Sequence, residues 1–115
     1  MRLAIVGSRT FGNYDLVCAE VAKIQQTQTI DLIVSGGAKG ADTLAKKYAA
    51  LHKIPLMEFF PDYDRYGRGA PLQRNTLIVS NSDVVLAFVA ANSKGTWDTI
   101  RKAQAAGKKV IIVKV

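Results

Sequence analysis

Apolar residues fall in five short, nearly continuous runs, at residues 3–6 (LAIV), 32–34 (LIV), 56–60 (LMEFF), 84–89 (VVLAFV) and 110–113 (VIIV). A strand with one face in water alternates apolar and polar positions. Unbroken runs instead fit strands covered on both faces, as in a parallel sheet between helices. Between the runs the period changes. Ala41, Leu44, Ala45, Tyr48 and Ala49 recur at i, i+3, i+4, i+7 and i+8, with Lys46 and Lys47 turned outward, which predicts an amphipathic helix. Val17, Val21 and Ile24 make a similar stripe within residues 14–28. Leu72, Thr76 and Val79 predict a shorter helix, and Trp97 and Ile100 begin a last one that Gly107 stops.

The order is therefore β-α-β-α-β-α-β-α-β. It predicts one α/β domain over residues 1–115, an open five-stranded parallel sheet in a three-layer α/β/α sandwich with right-handed crossovers. No repeat, linker or low-complexity segment interrupts it. Residues 61–71 form the one long irregular stretch, a loop holding Tyr63, Arg65, Tyr66, Arg68, Gly67 and Gly69. Loops of that length in compact domains tend to be functional.

Composition narrows the class. The 115 residues suit one domain, and 49% hydrophobic with 22% charged residues excludes whole-chain disorder. Cys18 is alone, so no intrachain disulfide forms, and with His52 the single histidine no zinc cluster or Ser-His triad assembles. The apolar stretch after Arg2 is too short for a signal-peptide core, and no run approaches the ~18 apolar residues of a membrane span. The expectation is a cytoplasmic protein with no membrane contact, no metal and no cofactor. Sixteen Lys and Arg against nine Asp and Glu give a net charge of +7, which favours anionic partners, although lysines such as Lys108 and Lys109 also fit a solvated surface.

Three loops carry candidate chemistry. Gly7-Ser8-Arg9 follows the first strand, where glycine permits a tight turn and Ser8 and Arg9 can reach an anion. A plain strand-to-helix turn explains it equally well. Ser35-Gly36-Gly37-Ala38-Lys39-Gly40-Ala41-Asp42 follows the second strand and opens a helix. Glycines there let the backbone approach a phosphate, and the helix N-terminus offers N–H groups and positive dipole. It is neither a Walker A loop nor a strict G-x-G-x-x-G. Asp42 has two readings, a first-turn carboxylate complementing the helix dipole or an acceptor for a ribose hydroxyl. Asn92-Ser93-Lys94-Gly95-Thr96 follows the fourth strand, with N-capping by Ser93 or Thr96 as the simpler role and Trp97 read as a core anchor rather than a base-stacking platform. In a sheet of order 3-2-1-4-5 these loops share one mouth, at the point where strand order reverses. Arg74, with Asn75 beside it, precedes strand four. It suits bidentate phosphate contact, or simply an exposed helix surface.

Together, Gly7-Ser8-Arg9-Thr10-Phe11, the block from Val34 through Asp42, Arg74-Asn75, Ser82-Asp83 and Ser93-Lys94-Gly95-Thr96 resemble the SLOG superfamily, most closely its YspA-like, YpsA-related branch. The resemblance covers essentially the whole chain. It implies a Rossmann-like fold, binding of a nucleotide or nucleotide-derived ligand such as an ADP-ribose-like molecule or nucleoside phosphate, and a homodimer. The lonely-guy phosphoribohydrolases are similar in Arg74 and in Gly95-Thr96. Their catalytic Glu falls here on Thr99, which leaves Arg74 and the neighbouring Asp98 as candidates for N-glycosidic hydrolysis. The DNA-processing protein A family is similar in the Ser35–Asp42 block and in Arg74-Asn75. It implies single-stranded nucleic-acid binding, for which Tyr63, Arg65, Tyr66 and Arg68 offer a short basic, aromatic track.

Overall fold

The computed structural model describes residues 1–115. The strands are β1 (Arg2–Gly7), β2 (Leu32–Ser35), β3 (Leu56–Glu58), β4 (Val84–Val89) and β5 (Lys109–Lys114). The helices are α1 (Tyr14–Gln25), α2 (Ala41–Leu51), α3 (Tyr63–Tyr66), α4 (Ala70–Ser80) and α5 (Lys94–Ala105). All strand pairs are parallel, in the order β3-β2-β1-β4-β5. The Rossmann-like sandwich is thus present with the expected strand order.

The continuous apolar runs of β1, β2 and β4 have the predicted cause, whereas β3 and β5 lie at the sheet edges and contain no buried residue, so their runs are not covered on both faces as expected. All six residues of β4 are buried, because β4 lies between β1 and β5 with helices on both sides. Along β1 the side chains divide by pleat. Leu3 and Ile5 join Val17, Val21 and Ile24 of α1 and Ala45, Tyr48 and Ala49 of α2. Ala4 and Val6 join Ile78 and Val79 of α4 and Ile100 and Ala103 of α5. Trp97 packs against this second core while remaining partly accessible. Switching helices from one face to the other between β3 and β4 places the reversal between β1 and β4. Their carboxyl ends stay joined there, with Ser8 N donating to the Phe88 carbonyl at 2.9 Å.

Two further expectations change. β3 ends at Glu58 rather than Phe60. The stretch 61–71 is mostly helical. Asp62 caps α3 by accepting from Arg65 N at 3.2 Å, a 3-10 turn runs over Gly67–Gly69, and Pro71 lies inside the first turn of α4. Proline breaks a helix interior but not its first turn, where no N–H is needed.

Candidate functional site

A cleft of about 660 Å³ opens at the carboxyl ends of β1, β2 and β4. Loop β1–α1 forms one part of its wall. Phe11 is stacked on Phe88, ring centroids 4.6 Å apart, and pins this loop to the sheet. Within the loop Ser8 Oγ and Thr10 Oγ1 are 3.0 Å apart, and the Ser8 hydroxyl also accepts from Thr10 N at 3.3 Å. Gly7, Ser8, Arg9 and Thr10 line the cleft, with Arg9 exposed.

Loop β2–α2 behaves differently from the expectation. Ala38 and Asp42 line the cleft, whereas Ser35, Gly36, Gly37, Lys39 and Gly40 do not. The reason is steric. A Cβ on Gly36 would lie 2.5 Å from Arg74 Nη1 and 3.0 Å from Asp42 Oδ2. Gly37 is covered by the Phe60 ring. Gly40, at φ 75°, lies against the Ser8 carbonyl and the Arg9 backbone, and Ala41 N donates to that same carbonyl at 3.2 Å. These glycines make room for other parts of the protein. Lys39 is exposed and Ser35 is buried.

The first turn of α2 carries an acid of its own, although no side chain caps the helix. Asp42 is 7% exposed, and its Oδ2 accepts from Ala38 N at 3.1 Å. Burial pushes its pKa up. The Ala38 hydrogen bond, the Arg74 charge and the neighbouring Ser35 hydroxyl oppose that rise without cancelling it.

Arg74 is half-buried rather than a surface residue. Its Nη1 donates to the Gly36 carbonyl at 2.7 Å and its Nε to Asn75 Oδ1 at 3.0 Å. Desolvation lowers its pKa, and the like charge of Arg9 acts in the same direction, while Asp42 and Tyr63 act against it. Asn75, also buried, donates to the Gly95 carbonyl at 3.2 Å and to Asp98 Oδ2 at 3.1 Å. Asp98 Oδ2 is further paired with Lys102 Nζ at 2.9 Å. Asp98 therefore faces α4 and its own helix and does not line the cleft. As a candidate catalytic group it is spent on structure.

Loop β4–α5 completes the wall with Asn92, Ser93, Lys94, Gly95 and Thr96. Ser93 occupies the N-cap position of α5, yet its hydroxyl accepts from Ala90 N at 3.0 Å, and the helix has no side-chain cap. No acidic residue lies in the first turn. A Cβ on Gly95 would meet nothing within 4 Å. Thr99 lies on the cleft wall with its hydroxyl donating to the Gly95 carbonyl at 3.3 Å. The cleft thus has two helix N-termini on its rim, neither capped by a side chain, one with Asp42 in its first turn and one with no acid there. It contains one carboxylate against Arg9, Arg74 and Lys94. Thr10 and Thr99 were not among the sequence candidates. Thr10 could have been found from its Ser-x-Thr spacing to Ser8.

A family model described as the YspA, cpYpsA-related SLOG family matches residues 1–66. The Gene 61 protein of Mycobacterium phage D29 is 32% identical over 117 residues, covering 96% of this chain and 94% of that protein. The X-ray structure of DNA processing protein A from Streptococcus pneumoniae superposes with a TM-score of 0.75 at 22% identity. That match covers 96% of this chain but only 49% of the other, so the chain spans about half its length, and the likeness is one of fold.

Proposed function

The chain belongs to the YspA, cpYpsA-related SLOG family, and on that basis we propose that its cleft binds a nucleotide or nucleotide-derived ligand through the open N-terminus of α5. One observation carries this reading: the uncapped, acid-free first turn of α5 faces a cleft lined by Arg9, Arg74 and Lys94. Unpaired N–H groups and the helix dipole favour an anion at that end. On this reading the phosphate sits at Ser93–Thr96 and Ser8–Thr10. The α2 end carries Asp42 in its first turn, and Gly36, Gly37 and Gly40 support the wall from behind. With Asp98 paired elsewhere, binding accounts for more of the site than N-glycosidic hydrolysis does.

A second reading rests on the α3 strap. Phe60, Tyr63 and Tyr66 are 63%, 58% and 40% exposed, Arg65 and Arg68 are exposed beside them, and the Arg65 guanidinium lies 5.3 Å from the Tyr66 ring centroid. Exposed rings and arginines suit a single-stranded nucleic acid, and the structural neighbour is by name a DNA-processing protein.

A thermal-shift panel separates the two. AMP, ADP-ribose and NAD are compared with oligonucleotides at low and high salt. A ligand at ~100 times its dissociation constant stabilises by about 2.7 kcal/mol. A shift with a mononucleotide supports the first reading. No such shift, together with oligonucleotide binding that weakens steeply with salt, replaces it with the second.

A further inference from the structure

We infer that the carboxylate of Asp42 reads a sugar hydroxyl, so that the cleft selects ribose-bearing over deoxyribose-bearing ligands. The inference deepens the nucleotide-binding reading and rests on it.

The cleft is rich in donors: the side chains of Arg9, Arg74 and Lys94 and, at the start of α5, the N–H groups of Gly95 and Thr96, that of Lys94 being used on the Asn92 carbonyl. An ionised phosphate satisfies these, but it has no proton to offer an acceptor. Asp42 is the one carboxylate on the wall, and an ionised carboxylate only accepts. The hydrogen bond from Ala38 N falls on Oδ2, and the Ser35 hydroxyl, the Gly36 N–H and the Arg74 charge also favour the ionised form, which leaves Oδ1 as the oxygen open to a ligand. Holding a carboxylate 93% buried is costly unless its lone pairs are matched. The unmatched oxygen therefore points to a ligand that carries a hydroxyl or amine as well as an anion.

Position selects the hydroxyl. A Cβ on Gly7 would lie 2.9 Å from Ala41 Cβ and 3.0 Å from Phe88 Cβ. The end of β1 is therefore wedged between the start of α2 and the end of β4, and the loop after β4 leads directly into α5. Asp42 lines the same cleft as the proposed phosphate position. In a nucleotide the group bonded to the phosphate is the sugar, and the base lies beyond it.

The test measures binding of AMP, 2′-deoxy-AMP, 3′-deoxy-AMP and IMP by calorimetry, to the wild-type chain and to Asp42→Asn. The amide of the variant can still accept from Ala38 while presenting NH2 where Oδ1 was. The wild type is expected to bind AMP and IMP alike, and to lose about tenfold or more when the recognised hydroxyl is removed. Asp42→Asn is expected to hold ribo- and deoxyribonucleotides equally, at the wild type's deoxyribonucleotide affinity. Equal wild-type affinity for AMP and both deoxy forms overturns the inference and leaves nucleotide binding standing. A loss confined to IMP assigns Asp42 to the base and overturns it too. Discrimination that survives in a folded Asp42→Asn also overturns it. No binding by any of the four overturns both this inference and the reading beneath it.

Discussion

Arg74 Nη1 donates to the carbonyl oxygen of Gly36 at 2.7 Å, joining two residues 38 positions apart in the chain. The bond ties α4 to the loop between β2 and α2 and holds a guanidinium over a backbone that only glycine can bring so close. Arg74→Ala leaves the Gly36 carbonyl and Asn75 Oδ1 without a charged donor. The expected cost is about 1–3 kcal/mol, read as a fall in the urea midpoint at unchanged slope. Arg74→Lys recovers only part of it, because a single ammonium cannot reproduce the planar fork. Full recovery by lysine would show that charge alone matters here.

Asp42 makes stability depend on pH in a defined direction. Its pKa is raised in the folded chain, chiefly by burial, so the fold favours the neutral acid. Its favourable contribution is complete below the unfolded-state value of 3.8 and is lost as pH rises through the higher folded-state value. Asp42→Asn removes that loss. The stability of the variant relative to wild type should therefore climb from acid towards neutral pH and then level off. Parallel stability curves across that range would contradict the buried, electrostatically strained carboxylate described above.

Gly40 and Gly67 separate conformational from steric cost. Both have positive φ, 75° and 56°. A Cβ on Gly67 meets nothing, whereas one on Gly40 strikes the backbone of Ser8 and Arg9. Gly67→Ala should cost about 1–3 kcal/mol, because φ 56° with ψ −131° is a conformation that glycine adopts readily and alanine does not. Gly40→Ala should cost clearly more and displace Arg9 from the cleft. Equal unfolding midpoints for the two variants would refute the close packing of the loops after β1 and β2.

Much of the architecture was legible in the sequence, because its cause is local and repeated. Apolar runs without alternation specify strands with two covered faces, and β1 and β4 have them in Leu3–Val6 and throughout Val84–Val89. Glycine and proline misled in one place. Pro61, Gly67, Gly69 and Pro71 read as an irregular loop, yet Asp62 caps a turn and Pro71 fits the start of α4. The site was legible as a set of loops but not as a division of labour among them. Gly36, Gly37 and Gly40 look like ligand-facing glycines until Arg74, Phe60 and Ser8, distant in sequence, are seen to occupy the space. A first-turn acid such as Asp42 is ordinarily exposed, and its burial depends on Arg74 and Ser35 closing around it. Ser93 has the residue type and position of an N-cap, but its bond to Ala90 N depends on the turn leaving β4.

The open N-terminus of α5 is the centre of the functional account, and Gly95→Asp tests it most directly. The side chain has room, and a carboxylate in the first turn complements the helix dipole by about 0.3–1 kcal/mol. The measurement is the melting temperature of wild type and variant, each alone and with saturating AMP or ADP-ribose. The account predicts a variant at least as stable as wild type that has lost the ligand-induced shift. A stable Gly95→Asp that still shows the full shift would contradict it and move the anion elsewhere in the cleft.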